Sequence, residues 1–187
     1  MGPVPGRYQV LLVSGSLRRG STNTAVLRTA EVVAPEGAMA VLYDGLERLP
    51  HFDPDLVQDP LPPAVADLRD AIRAADAVLF CAPEYAGALP GSFKNLLEWT
   101  IGDDQPRSIY TKPVAWINTS AAPNRAADAH DSLRKVLAYA HATIVEEACA
   151  SIPVSRQAVG DDGLIDDAAL RSGIVRVLTT LLARAVD

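Results

Sequence analysis

Residues 10–24 read VLLVSGSLRRGSTNT, in which four apolar residues lead into a polar loop and the loop leads into a segment of helical period. The apolar run at residues 10–13 predicts the first strand, and residues 22–34 predict the first helix. A strand, a loop and a helix in this order are typical of the first unit of a parallel sheet. The polar loop is therefore expected at the carboxyl end of a strand.

Short apolar runs and helical segments alternate along the rest of the chain. Further strands are predicted at residues 39–43, 77–82, 113–118 and within 143–152. Further helices are predicted at 64–75, 91–101 and 126–142, followed by a last helix that Asp166 or Asp167 caps. Residues 45–63, which contain several prolines, predict a long surface loop.

Five strands alternating with about five helices predict an α/β/α three-layer sandwich with a parallel sheet. Because crossovers are right-handed, the flavodoxin-like strand order 2-1-3-4-5 is favoured. No repeat, linker or low-complexity segment divides the chain, so residues 1–187 are interpreted as one domain.

Composition excludes several classes of partner. The formal net charge is −6, and the longest basic cluster is Arg18-Arg19, which argues against nucleic acid and anionic membranes. No stretch is long enough to span a membrane, and no signal core precedes Tyr8. Cys81 and Cys149 each lie in an apolar run, as buried thiols do, so a cytoplasmic protein is expected.

The loop after the first strand has the composition of an anion site. Hydroxyls of Ser16, Ser21 and Thr22, the Asn23 amide, backbone N–H groups at the helix start and the Arg18 guanidinium can all donate to one phosphate. The alternative is that these residues only cap the helix. Ser21 stands where an ATP-binding loop needs lysine, and no dinucleotide fingerprint is present. A terminal monophosphate remains, and FMN is the common cofactor of that kind at this position of the fold.

A second loop follows the third strand, at residues 83–90. Its Tyr85 and its glycine suit a flat aromatic ligand, whose polar edge can meet exposed backbone N–H groups. The alternative is a structural turn with Tyr85 on the surface. His51, His130 and His141 are isolated, so we predict neither a metal site nor a catalytic triad.

Four motifs together resemble one known family. They are Gly15-Ser-Leu-Arg-x-Gly-Ser-x-Asn23, Leu49-Pro-x-Phe-x-x-Asp-Leu56, Pro83-Glu-Tyr85 and Pro90-Gly-x-x-Lys-Asn95. Over residues 8–152 the chain is similar to the NADPH-dependent FMN reductases, which include quinone, azo-dye and chromate reductases of flavodoxin-like fold.

The resemblance implies an oxidoreductase that passes hydride from NADPH or NADH through non-covalent FMN to a quinone-like, azo, metal-ion or flavin acceptor. Ser16, Arg18, Ser21 and Asn23 would contact the FMN phosphate. The flavin ring would be bordered by Pro83, Glu84, Tyr85 and the backbone at Ala86 and Gly87, with Ser120 nearby.

The resemblance also implies a homodimer or homotetramer, in which helices near the second loop meet. Leu96, Leu97 and Trp99 would then lie either at that interface or in the core. The family usually has Asn at the position of Ala86 and a polar residue at Ala88, and residues 121–127 replace its glycine-rich segment.

Two other functions remain open at this point. One is an FMN-binding electron carrier or redox sensor with little nicotinamide turnover. The other is a phosphate-binding domain that holds no flavin.

Overall fold

The computed structural model of the protein describes residues 8–58, 60–121 and 126–185. The strands of this part form one parallel sheet: β1 Tyr8–Ser14, β2 Ala38–Tyr43, β3 Ala77–Cys81, β4 Pro113–Asn118, β5 Thr143–Ile144 and β6 Ala150–Ser151. The strand order is β2-β1-β3-β4-β5, and β6 also pairs with β4. The predicted order 2-1-3-4-5 is confirmed.

The last predicted strand is split into two short pieces. β5 pairs with Pro113 and Val114 at the start of β4, whereas β6 pairs with Ile117 and Asn118 at its end. A 3-10 turn at Glu146–Ala148 separates the two pieces. The turn buries Ala148 and leaves both glutamates exposed, which a continuous strand with alternating faces would not do.

Helices cover both faces of the sheet, as predicted. They are α1 Thr22–Val32, α2 Pro63–Ala74, α3 Gly91–Trp99, α4 Ala127–Tyr139 and α5 Ala168–Ala183. One core cluster joins the sheet to α2, α3 and α4, and the other joins it to α1 and α5. Asp167 caps the last helix, because its Oδ1 accepts a hydrogen bond from the Leu170 N–H at 2.9 Å.

The loop between β2 and α2 is held down by residues of α3. It contains two 3-10 turns, at Leu46–Arg48 and Pro54–Leu56. The Asn95 amide accepts from the Phe52 N–H at 2.7 Å and donates to the Pro50 carbonyl at 2.8 Å. Two of the four family motifs therefore bind each other, which gives them a structural role.

The three α3 residues that the sequence assigned either to an interface or to the core belong to the core. Leu96 and Leu97 are 1% exposed and Trp99 is 0% exposed. Trp99 Nε1 also donates to the Pro50 carbonyl at 2.8 Å. Among the helices of the described ranges, none is long and apolar enough to cross a membrane.

Candidate functional site

A cleft of about 570 Å³ lies where the carboxyl ends of β1, β3 and β4 meet. Chain connections leave β1 and β3 in opposite directions across the sheet, and ligands of this fold class bind at such a switch point. The cleft is lined by all of the predicted binding residues except Ala86 and Gly87: Ser16, Arg18, Ser21, Thr22, Asn23, Pro83, Glu84, Tyr85 and Ser120. Both loops predicted from the sequence thus contribute to one site.

The first loop leaves β1 through a tightly packed glycine. A Cβ on Gly15 would lie 2.5 Å from the Ala82 Cβ, so the chain passes directly against the end of β3. Ser14 and Thr24 hydroxyls bond each other at 2.8 Å across the loop. Ser16 Oγ accepts from the Arg18 N–H at 3.3 Å. These contacts hold the loop closed around the start of α1.

The start of α1 leaves hydrogen-bond donors at the cleft. Ser21 occupies the N-cap position and is 3% exposed, but its side chain makes no capping hydrogen bond. The first intrahelical bond formed is from the Ala25 N–H to the Ser21 carbonyl, so earlier N–H groups have no partner within the helix. No acidic residue lies in the first turn to compete for them. The Ser21 side chain therefore does not cap the helix.

Asn23 is oriented by two donors, one at the end of β3 and one directly after β4. Its Oδ1 accepts from Thr119 Oγ1 at 3.1 Å and from Cys81 Sγ at 3.3 Å. Burial raises the pKa of the Cys81 thiol, which keeps the S–H proton in place at neutral pH. Because the oxygen is occupied, the Nδ2 hydrogens of Asn23 are the side-chain donors left for a ligand.

Arg18 is exposed at the edge of the same loop. Its Nη2 donates to the Gly20 carbonyl at 3.1 Å, and Gly20 has φ +65°, a conformation that favours glycine. This bond bends the arginine back over its own loop, so the guanidinium stays near the cleft.

The second loop contains a tight two-residue hairpin turn. Tyr85 and Ala88 exchange two backbone hydrogen bonds of 3.0 Å. Between them, Ala86 has φ +51° and Gly87 has φ +70°, as turns of type I′ require. The turn lies beyond Tyr85 and outside the residues that line the cleft, so the backbone of Ala86 and Gly87 is not brought into the cleft with the other predicted residues.

Glu84 has a structural partner across the cleft. Its Oε2 accepts from the Ala129 N–H in the first turn of α4 at 3.2 Å. The residue before α4, Ala126, has φ +66° and a side chain that cannot cap the helix, so Glu84 supplies that bond. The second loop is thereby tied to the start of α4.

His130, on α4, lies behind this wall of the cleft. Its Nδ1 bonds the Ala126 carbonyl at 2.5 Å, and its Nε2 is buried with no hydrogen-bond partner among the described residues. Its ring lies 5.9 Å from that of Trp116. Burial is the largest influence on His130 and lowers its pKa, so the ring is neutral at pH 7.

Several residues of the cleft were missed by the sequence prediction. They are Ala82, Asn118, Thr119, Ala121, Ala126, Val154 and Arg156. The polar residues at 118 and 119 end a strand next to the predicted switch point, which is a signal that could have found them. No local signal marks Arg156. Residues 121–127 replace the family's glycine-rich segment, and of these, residues 122–125 lie outside the described part of the chain.

The donor set fits a phosphate monoester joined to a flat, partly polar group. N–H groups at a helix start, free serine hydroxyls and an arginine suit the anion. Tyr85, 51% exposed, offers an aromatic face at the other loop. A cleft of this volume lies within the usual range for small-molecule sites.

Comparison with known proteins points to the same chemistry. Residues 8–157 match the family model described as NADPH-dependent FMN reductase. An NAD(P)H-dependent FMN reductase from Pseudomonas aeruginosa is 36% identical over 163 residues, which is 86% of each chain. The quinone reductase of Escherichia coli K12 is 32% identical over 143 residues, which is 75% of each chain.

A solved structure is similar over nearly the whole length. It is the flavoenzyme NAD(P)H:(acceptor) oxidoreductase FerB from Paracoccus denitrificans, which superposes with a TM-score of 0.79 at 28% identity. The alignment covers 94% of this chain and 98% of that one. The flavodoxin-like class inferred from strand order agrees with this likeness.

Proposed function

Because the chain belongs to the NADPH-dependent FMN reductase family, we propose that it holds FMN without a covalent bond and passes hydride from NADPH or NADH to a small-molecule acceptor. It is an NAD(P)H-dependent oxidoreductase of the FMN- and quinone-reductase type. The observation that carries the proposal is the cleft itself, in which a helix start with unused donors faces a second loop that bears Tyr85.

The phosphate of FMN is assigned to the first loop. Ser16, Ser21 and Thr22 would donate through hydroxyls or backbone N–H groups, Asn23 through Nδ2, and Arg18 through its guanidinium. The positive end of the α1 dipole adds to this attraction. Low exposure of Ser16, Ser21 and Asn23 limits competition from water, so their hydrogen bonds to an anion are stronger than those of surface groups.

The flavin ring is assigned to the second loop and to the residues after β4. Pro83 and Tyr85 would pack against it, Ser120 would meet its polar edge, and Glu84 would hold the loop in place through Ala129. The Ala86–Gly87 turn would border the ring only from beyond Tyr85, outside the residues that line the cleft. Bound FMN would supply the hydride transfer between nicotinamide and acceptor, and the protein supplies position and charge.

A quinone-like acceptor is the favoured substrate class, with azo, metal-ion and flavin acceptors as the other candidates. The support is the relative named quinone reductase, which aligns over three quarters of its length. We also place the protein in a reducing, cytoplasmic compartment, because Cys81 is a free thiol whose S–H donates to Asn23.

The proposed homodimer or homotetramer would use a groove between α3 and α4. This groove, of about 390 Å³, includes the apolar residues Phe52, Ile101, Val136 and Tyr139. Tyr139 is 77% exposed, so its ring is available to contact a second copy. Sedimentation of the wild type and of Tyr139→Glu tests this: one smaller species in the variant supports it, and an unchanged mass opposes it.

The enzymatic proposal is tested by mixing the FMN-loaded protein with NADPH or NADH without oxygen and following flavin absorbance in a stopped-flow instrument. Bleaching faster than that of free FMN, followed by recovery on adding a quinone, is expected. FMN that binds but is not reduced faster than free flavin would favour an electron carrier. A protein that binds no flavin would be a phosphate-binding domain instead.

A further inference from the structure

Arg156 brings a second arginine to the cleft from a distant part of the chain. It begins the 3-10 turn Arg156–Ala158, is exposed, and lines the same cavity as the first loop. Its guanidinium makes no hydrogen bond or ion pair within residues 8–58, 60–121 and 126–185. Arg18, by contrast, donates to the Gly20 carbonyl. An arginine in a cleft that has no partner among these residues is available to bind an anion.

Backbone hydrogen bonds carry Arg156 to this position. The Ile152 N–H donates to the Asn118 carbonyl at 2.8 Å, and the Val154 N–H donates to the Thr119 carbonyl at 3.1 Å. Thr119 in turn donates its hydroxyl to Asn23 at 3.1 Å. The segment before Arg156 is thus joined, through the end of β4, to the first turn of α1.

The segment before Arg156 packs on the same face of the sheet as α1, the helix that follows the first loop. Val154 is 5% exposed and belongs to the core cluster that contains α1 and α5. The Glu84 carboxylate is held instead by Ala129, which belongs to the cluster on the opposite face. The cleft therefore has Arg18 and Arg156 with the α1 start on one side and a carboxylate on the other.

Charge balance indicates what two arginines would bind there. A phosphate monoester carries roughly −1.5 to −2 charges at neutral pH, whereas a helix start supplies only about half a positive charge. Arg18 and the helix start together supply about 1.5 positive charges, so up to about half a negative charge of the dianion would stay unpaired within a protein of net charge −6. A second guanidinium more than covers this remainder.

We propose that Arg156 is a second phosphate-recognising residue, which acts with Arg18 on the terminal phosphomonoester of the flavin. The inference rests on the proposed FMN site and adds a residue to it. The 2′-phosphate of NADPH has the same chemistry, but the contacts through Thr119 and Asn23 place Arg156 beside the first loop.

The test is titration of apo-protein with FMN and with riboflavin, which lacks the phosphate, by isothermal calorimetry. Arg156→Gln should weaken FMN binding about 10-fold and leave riboflavin binding unchanged, because one charge-assisted hydrogen bond is lost. Arg156→Lys should restore part of the affinity. FMN affinity of Arg156→Gln should also fall less steeply with salt than that of the wild type.

Arg176→Gln is the matched control, since Arg176 is exposed on α5, away from the cleft, and its removal changes the net charge equally. It should bind FMN as the wild type does. Equal FMN affinity in Arg156→Gln and wild type would overturn the proposal, as would an equal loss for FMN and riboflavin. A variant with unchanged FMN affinity but a raised KM for NADPH relative to NADH would also overturn it and assign Arg156 to the nicotinamide. If the wild type itself binds no FMN, the proposed function fails, not this residue assignment alone.

Discussion

The turn at Ala86-Gly87 allows the effects of backbone strain and of flavin contact to be measured separately. Ala86 has φ +51°, a left-handed conformation that costs an L residue roughly 1–2 kcal/mol. Ala86→Gly removes this cost, but it also makes the unfolded chain more flexible, which lowers the free energy of unfolding by about 0.4–1 kcal/mol. The net result expected is stabilisation of the apo-protein by about 0.5–1 kcal/mol.

Ala86→Asn should stabilise the apo-protein by a similar amount, because Asn tolerates the left-handed region. Gly87→Ala should do the opposite. Gly87 has φ +70° and nothing within 4 Å of an added Cβ, so the loss of about 0.5–1 kcal/mol would come from the backbone alone.

Urea unfolding of the three apo-variants measures these changes, with an unchanged m-value as the control for two-state behaviour. FMN titration then isolates the side chain, since Asn alone adds a hydrogen-bonding group. One added bond is worth about 0.5–1.5 kcal/mol, so Ala86→Asn should bind FMN roughly 2- to 12-fold more tightly and Ala86→Gly should not.

Three results would refute this reasoning. A destabilised Ala86→Gly or a neutral Gly87→Ala would mean that the turn does not have positive φ at both positions. Equal FMN affinities in Ala86→Asn and Ala86→Gly would mean that a side chain at this position does not reach the flavin.

Three further predictions concern other parts of the molecule. Arg18→Ala should weaken FMN roughly 10- to 150-fold without changing the thermal unfolding of the apo-protein, whereas Arg19→Ala should bind normally; equal affinities would make Arg18 a solvated side chain. Asn95→Ala should lower the free energy of unfolding in urea by about 2–3 kcal/mol, since two partly buried hydrogen bonds are lost. Lys94→Ala, which breaks a partly exposed ion pair with Glu98 four residues on in the same helix, should change it by less than about 1 kcal/mol. Burial lowers the pKa of His130 in the folded protein below its value of about 6.5 in the unfolded chain. The free energy of unfolding should therefore fall as the pH drops from about 6.5 towards the folded pKa, and it should fall less in His130→Asn.

The parts of the fold that local sequence determines were predicted well. The run from β1 through the polar loop to α1 is set by neighbouring residues, and both the strand order and the cleft position follow from alternation and handedness. The split between β5 and β6 was not predicted. It depends on where Glu146 and Glu147 reach solvent and on how each piece pairs with β4, which no local pattern encodes.

In the candidate site, too, residues marked by their local sequence were predicted and residues placed by distant contacts were not. Residues of the two loops were found because each loop directly follows a strand. Arg156 was not found, because hydrogen bonds to Asn118 and Thr119, distant in sequence, bring it to the cleft. The positive φ of Ala86 was also missed, since alanine carries no signal for that conformation.

The central claim is that the first loop and the start of α1 bind the phosphate of FMN, and titration of the apo-protein with FMN and riboflavin tests it most directly. Two charge-assisted hydrogen bonds are worth about 3 kcal/mol or more, so FMN should bind at least roughly 100-fold more tightly than riboflavin. Equal affinity for the two flavins would contradict the claim.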